Sequence, residues 1–511
     1  MYKSFILILA LLSAGIIISG CDAGLSGTSS ENKPPSTNLT VEKINRGEDF
    51  RLSSQINISW WGNDPDGYIV GYEYAINDTS EGAWTFTTRS DSTFILPITE
   101  GQNVDDVLFK VRAVDNEDAR DPVGARLVYP IVNSLPTVSF NQNETPPDSL
   151  FSIHSFGWTV NDPDGLLNIR STEIAINDTI DGWTEIPFDE DNDGRIFISL
   201  EIDNTTLGTK TADVFIGRAY STGVDEDGNR LQIPGLEVGA TNTAYVRSTD
   251  AAGAVSNVDT LSWYIKPQTS KVLFINDIST SDYLEKQAEH FSYLGANGIT
   301  PDQWIINTGQ PALGTIELSD QFPSVVNPTL VKTLAKWDHI YWVSNSIQRN
   351  IIHALDITTE FFENNGTVFV NIPMVPPSGL SPEAEIFNFL PVDSVGYFLP
   401  GGQETGFVFN ANEDVTPVDL QGAPTLLTES RQTGIAPLKP IAGASLLYET
   451  DFRATTIQGQ IEDFTRFEGV GIENPEGNLV YFGIDITTLN GNDNLAEFIE
   501  YVCVQRLGFS N

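Results

Sequence analysis

Residues 56–76 read Ile56-Asn-Ile-Ser-Trp-Trp-Gly-Asn-Asp-Pro-Asp-Gly-Tyr-Ile-Val-Gly-Tyr-Glu-Tyr-Ala-Ile76. Ile56 and Ile58 alternate with polar neighbours up to Trp60. Pro65 then fixes φ, the side chains of Asp64 and Asp66 can hold nearby backbone N–H groups, and Gly67 accepts φ > 0. Tyr68, Val70, Tyr72, Tyr74 and Ile76 resume the period of two. This is a strand, a turn and a strand, half-buried on one face.

The pattern occurs twice. Asn-Asp-Pro-Asp-Gly stands at Asn63–Gly67 and again at Asn161–Gly165, 98 positions on. Trp60 precedes Asp64 as Trp158 precedes Asp162. Ala-Ile-Asn-Asp-Thr follows in both copies (Ala75–Thr79 and Ala175–Thr179), and then Trp84 or Trp183. A repeat of that length is one small domain.

The first domain spans 34–133, with strands expected at Ile56–Trp61, Tyr68–Ile76, Trp84–Thr88, Thr93–Leu96, Val107–Val114 and Arg126–Ile131. Short strands with turns between them predict an immunoglobulin-like antiparallel sandwich. The second domain spans 134–267. Its Tyr245-Val-Arg-Ser-Thr-Asp250 matches Phe109-Lys-Val-Arg-Ala-Val-Asp115 at a distance of 135, so it carries 37 extra residues between Trp183 and Tyr245. Trp-x-x-x-Asp-Pro-Asp-Gly followed by a Tyr-rich strand, and Val-Arg-Ala-Val-Asp before a turn, resemble bacterial fibronectin type III and PKD-type modules. The resemblance covers 34–267 and implies fold rather than function.

Acidic residues pose the question of metal. Asp64, Asp66, Asp162 and Asp164 read either as calcium-loop ligands or as turn caps. In the extra segment, Asp189, Asp191 and Asp193 before Gly194 match the start of a calcium loop. Position twelve, where an EF-hand has Glu, is Leu200. A Ca²⁺ site and an acidic hairpin turn both stand as readings, and no other cofactor is expected. A second acidic stretch lies at Asp225–Gly228.

At the N-terminus, Lys3 precedes an apolar run from Phe5 to Ile18, and Ile18-Ser-Gly-Cys21 resembles a bacterial lipobox. That resemblance implies removal of 1–20, acylation of Cys21, and 21–33 as a flexible tether. The chain would then be anchored to the cell envelope, at the periplasmic or surface face of the outer membrane. The only other cysteine is Cys503, which leaves no disulfide framework. With 69 acidic against 27 basic residues and a net charge of −42, the surface repels phosphate backbones and excludes nucleic acid as a partner.

After Lys266–Ser270 the period changes. Lys271–Asn276 is a continuous apolar strand, as in a sheet covered on both faces. A helix over Asp282–Leu294, a strand near Trp304–Ile306, a helix near Thr329–Lys336 and a strand at His339–Val343 follow. A helix over Ile347–Glu363 is expected to end at Asn365-Gly366, before a strand at Thr367–Ile372. A strand at Asn478–Ile484 and a helix at Leu495–Leu507 close the chain. Residues 271–511 therefore read as a doubly wound α/β domain, although the Gly- and Pro-rich stretch 391–471 shows no period. These segments resemble the flavodoxin-like sheet of class I glutamine amidotransferases and trehalose-utilisation-type proteins. That resemblance implies a nucleophile just beyond a central strand, where this chain has Asn371-Ile-Pro373.

In such sheets ligands lie beyond the carboxyl ends of the strands. Asn276, Asp277, Ser344, Asn345, Asn371 and Asp485 fall there and read either as a polar ligand site or as helix caps. Four scattered His give no metal spacing, and no Gly-x-Ser-x-Gly elbow is present. The leading expectation is a non-catalytic envelope lipoprotein whose α/β domain binds a carbohydrate or an envelope protein. A hydrolase of polysaccharide or another extracellular polymer, using paired carboxylates, is the first alternative. An adhesin binding through sandwich loops is the second.

Overall fold

The computed structural model describes residues 31–41, 51–188, 192–225, 227–306, 323, 327–375, 384–396, 404–456 and 458–511. They form two compact units. The first contains the described residues up to Ser134, with Pro163–Asn168 and Ala251–Gly253, and the second contains the remainder.

In the first unit the strands are β1 (Ser36–Val41), β2 (Leu52–Ser53), β3 (Gln55–Asn63), β4 (Ile69–Ile76), β5 (Thr85–Thr87), β6 (Asp91–Ile95), β7 (Val104–Asp115) and β8 (Ala125–Val132). They make a β-sandwich. One sheet runs β1-β3-β6 and the other β2-β8-β7-β4-β5. All pairs are antiparallel except β2 with β8. Alternation explains the core: Ile56, Ile58 and Trp60 of β3 are buried with Val107, Phe109 and Val111 of β7. Trp60 also donates from Nε1 to the Arg89 carbonyl at 3.0 Å.

The turn after β3 departs from expectation in one respect. Gly165 takes a positive φ of 108°, but Gly67 does not. A Cβ at Gly67 would collide with the side chain of Asn116, which accepts from the Tyr68 N–H at 2.8 Å. Close approach, not handedness, selects that glycine.

The second unit begins with a larger sandwich. Strand Ile153–Asn161, carrying buried Trp158, pairs with Arg195–Glu201 as β3 pairs with β6. The extra segment supplies Gly208–Ile216 and Gln232–Val238, which pair with each other. Gly208–Ile216 also pairs with Arg195–Glu201, so the insertion widens this sheet to six strands.

The same unit contains the C-terminal region, joined to the sandwich by a dense contact. Phe151 stands edge-on to Trp337 and Trp304, with ring centroids 4.7 and 5.8 Å away. Buried Asp302 accepts from the linker N–H groups of Thr269 at 3.0 Å and Ser270 at 3.1 Å, and from Trp337 Nε1 at 3.0 Å.

Five parallel strands lie in the spatial order Asp302–Ile305, Val272–Asp277, His339–Ser344, Thr367–Asn371, Leu479–Phe482. Helix Tyr283–Ala296 packs beside Leu495–Ile499, while Pro328–Leu334 packs beside Ala354–Ile357 and Thr359–Glu363. The expected α/β alternation does not describe the whole region. The sheet continues from Leu479–Phe482 through the antiparallel strands Gly469–Glu473, Ser445–Thr450, Asp414–Pro417 and Leu426–Leu427. A separate four-stranded sheet is built from Glu404–Phe409, Gln432–Thr433, Phe452–Thr456 and Ile461–Phe464. Within the aperiodic stretch 391–471 the described residues are thus largely β, in strands of two to six residues. The described residues are 44% strand and 14% helix.

The helix expected over Ile347–Glu363 is broken, while that expected over Asp282–Leu294 forms as Tyr283–Ala296. In place of Ile347–Glu363 there is a 3₁₀ turn at Asn350–His353, then Ala354–Ile357 and Thr359–Glu363. Thr358 Oγ1 donates back to the Ala354 carbonyl at 2.6 Å, a bond that competes with the helical ladder. The last helix changes from α at Leu495–Ile499 to π at Glu500–Arg506.

Candidate functional site

Asn276 and Asp277 end one parallel strand, Ser344 ends its neighbour with Asn345 just beyond, Asn371 ends the next, and Asp485 follows the strand Leu479–Phe482. The strand ends thus bring these residues to one edge of the sheet, and most of their polar atoms are occupied by the chain itself. Asn276 Nδ2 donates to Gln287 Oε1 at 2.9 Å and to the Tyr283 carbonyl at 3.1 Å. Ser344 Oγ donates to the Asp277 carbonyl at 3.1 Å. Asn345 Oδ1 accepts from the N–H and hydroxyl of Ser279, both at 3.0 Å.

Asn371 ties two loops. Its Nδ2 donates to the carbonyls of Ile484 at 2.6 Å and Phe482 at 3.1 Å, and its Oδ1 accepts from Ile486 N–H at 3.3 Å. Asp485 caps the following 3₁₀ turn through Thr487 N–H at 3.1 Å and pairs with Lys286. Burial works to raise the Asp485 pKa, but the charge and hydrogen bond of Lys286 outweigh it and hold the carboxyl below its ordinary value.

Asp277 differs. It is 0% exposed. Asn350 Nδ2 donates to its Oδ1 at 2.8 Å, and Arg349 Nε lies 3.8 Å away. Its Oδ2 is buried without a hydrogen-bond partner among the described residues. Burial pushes the carboxyl up to about 7, against the opposing pull of Asn350 and Arg349. Sequence reasoning named Asp277 but not Arg349, Asn350 or Lys286. Their roles arise from contacts tens to hundreds of residues apart, which leave no local signature.

The metal candidates divide. Asp189 and Asp191 lie outside the described residues, as does Cys21. Asp193 occupies a left-handed turn position, φ 49°. Asp225 Oδ1 accepts from the N–H groups of Asn229 at 2.8 Å and Asp227 at 3.1 Å, a self-capped turn. Asp64 Oδ1 accepts from Asp66 N–H at 3.3 Å. Asp164 is fully buried and accepts from Ser54 N–H at 2.8 Å and Ser134 N–H at 2.7 Å. No cluster of three or more His, Cys, Asp or Glu able to hold a metal ion occurs among the described residues.

Other reactive side chains are sequestered. Cys503 is buried and unpaired, and burial drives its thiol pKa well up. Burial lowers the pKa of His154 to about 3, and its Nδ1 accepts from Trp263 Nε1 at 3.0 Å. Burial also lowers His290, which lies 3.0 Å from Tyr341 Oη through Nδ1.

No family model matches the chain, and no curated protein matches it. Solved structures are similar to part of it. Fibronectin(III)-like modules of Clostridium thermocellum CbhA are 16% identical over 45% of this chain and 95% of theirs, with TM-score 0.16. A two-domain fibronectin type III segment of chicken tenascin is 12% identical over 45% of this chain and 99% of its own, with TM-score 0.18. The central fibronectin-III array of RIM-binding protein is 14% identical over 47% of this chain and 73% of its own, with TM-score 0.14. At these scores the likeness carries no argument, and the sandwich assignment rests on the strand pairing described above.

Proposed function

We propose that this chain is a non-catalytic cell-envelope lipoprotein, acylated at Cys21 and held at the outer membrane, in which two sandwich modules carry a flavodoxin-like binding domain. Three kinds of support bear on it. The lipobox-like Ile18–Cys21 motivates the anchor. The parallel strand order of the C-terminal sheet, with the second strand at its edge and the first beside it, is the order of flavodoxin-like sheets. The observation that carries the non-catalytic part is Asn371: where related folds place a nucleophile, this amide is occupied by the carbonyls of Phe482 and Ile484.

A hydrolase of extracellular polymer is the second reading. Its support is Asp277, a carboxyl raised to about 7, suited to general acid work. Its full burial keeps substrate from it.

The test combines fractionation with assay. Wild-type chain should partition with membranes and Cys21→Ser with the soluble fraction. Full-length chain should leave nitrophenyl esters, nitrophenyl glycosides and soluble glycans intact. Retention of Cys21→Ser in membranes would refute the anchor, and turnover abolished by Asp277→Asn would establish the hydrolase instead.

A further inference from the structure

The outer face of the β1-β3-β6 sheet is unlike the rest of this acidic surface. Inward residues of β3 are Ile56, Ile58 and Trp60, so Asn57, Ser59 and Trp61 point outward. The register sets Thr93 opposite Asn57 and Asn38 opposite Trp61. Amides and hydroxyls dominate this strip, and Asp91, opposite Ser59, is its one charge among these paired positions.

Two observations mark the strip as a site. Trp61 is 51% exposed and has no ring or cation contact among the described residues. A cavity of about 420 Å³ opens at the other end of the strip, lined by Ser53, Gln55, Asn57, Thr93 and Pro163 over Leu52 and Ile56, with no charged group. That volume falls among small-ligand pockets, ~300–1,000 Å³.

We infer that this face, from the cavity at Asn57 to the ring of Trp61, binds a neutral polysaccharide. Asn57 and Trp61 share one face four residues apart, about 13 Å at strand rise, longer than a single sugar ring. A sugar chain offers both matching chemistries: C–H faces that lie on an exposed indole, and hydroxyls that both donate and accept. Gln55, Asn57 and Thr93 line the cavity and offer amide and hydroxyl groups to the sugar hydroxyls. Anionic polymers are disfavoured by a chain of net charge −42 and by a strip without Lys or Arg at the paired positions. The site lies within the first compact unit, which includes Pro163, and does not depend on the anchor at Cys21.

Affinity electrophoresis of the full chain tests it, in native gels containing xylan, mixed-linkage β-glucan, galactomannan or dextran, with polygalacturonate as the anionic comparison. At least one neutral polymer should retard the wild type. Trp61→Ala should weaken that binding tenfold or more at unchanged melting temperature, Asn57→Ala should weaken it several-fold, and Phe86→Ala, exposed on the opposite sheet, should leave it unchanged. The inference is overturned if no neutral polymer retards the chain, if only polygalacturonate does, or if Trp61→Ala binds like wild type. Any of those results leaves the lipoprotein reading standing.

Discussion

The guanidinium of Arg112 lies 4.0 Å from the centre of the Trp84 ring while it pairs with Glu73 at 2.7 Å. The second sandwich repeats this stack: Arg247 lies 4.0 Å from Trp183 and pairs with Glu173 at 2.7 Å. In both, Glu and Arg stand opposite each other on neighbouring strands. The indole N–H is also tied locally, to the carbonyl of Thr79 at 3.2 Å or Thr179 at 2.9 Å. The later Trp of each repeat is therefore a platform for an internal cation rather than a ligand contact.

A double-mutant cycle on Trp183→Ala and Arg247→Ala measures that stack. Partly exposed cation–π pairs contribute about 0.5–2 kcal/mol, so the two substitutions should be non-additive by about 1 kcal/mol in urea unfolding. Arg247→Lys should recover only part of it, since a point charge lacks the planar fork that serves ring and carboxylate together. Simple additivity of the two losses would show the stack to be energetically idle.

The β part of the fold was readable because its signals are local. Trp60 and Trp158 end alternating runs, and Asn77 and Asn177, with φ of 59° and 60°, mark the same turn in each copy. Strand β1 was not readable, because Ser-Thr-Asn-Leu-Thr-Val has only Leu39, opposite Trp60, and Val41 as apolar positions, too few to show a period. The partners of Glu73 were hidden too, since Arg112 and Arg120 meet it only in the folded sheet. The antiparallel extension within 391–471 escaped because its strands are short and bulged, for example between Leu446 and Tyr448, which breaks the period of two. At the strand ends, residue type and position suggested a site, but only contacts distinguish a polar group that awaits a ligand from one that ties a loop.

Asn371 makes that distinction measurable. Removing its side chain strands the Ile484 carbonyl and the Ile486 N–H, while the Phe482 carbonyl keeps the Ile372 N–H at 3.2 Å, at about 1–3 kcal/mol for each group left unsatisfied. Asn371→Ala should lower the urea midpoint of the second unit by a loss of about 3 kcal/mol. Asn371→Asp should be worse at neutral pH, because a carboxylate would face the carbonyls of Phe482 and Ile484, and should improve on acidification. An Asp variant as stable as wild type at pH 7 would remove the structural role assigned to the amide.

Two buried groups in the second unit should give stability opposite pH slopes. His154 has a folded pKa of about 3, below its unfolded value of about 6.5. Its contribution is fully present above pH ~6.5 and is lost as pH falls toward 3. Asp277 has a folded pKa of about 7, above its unfolded value of about 3.9. Its contribution is fully present below pH ~3.9 and is lost as pH rises through 7. Between pH ~4 and ~6.5 the unfolded chain takes up a proton at His154 while the folded chain takes one up at Asp277, so the two slopes, each about 1.4 kcal/mol per pH unit, oppose each other. In His154→Gln, whose amide can still accept from Trp263, stability should fall with rising pH relative to wild type. In Asp277→Asn it should rise with pH relative to wild type, and the double variant should return toward the wild-type slope. Urea midpoints at three pH values across that window provide the measurement, and other titrating groups drop out of the differences. Parallel profiles for all four proteins would mean that neither group carries the proton its burial implies.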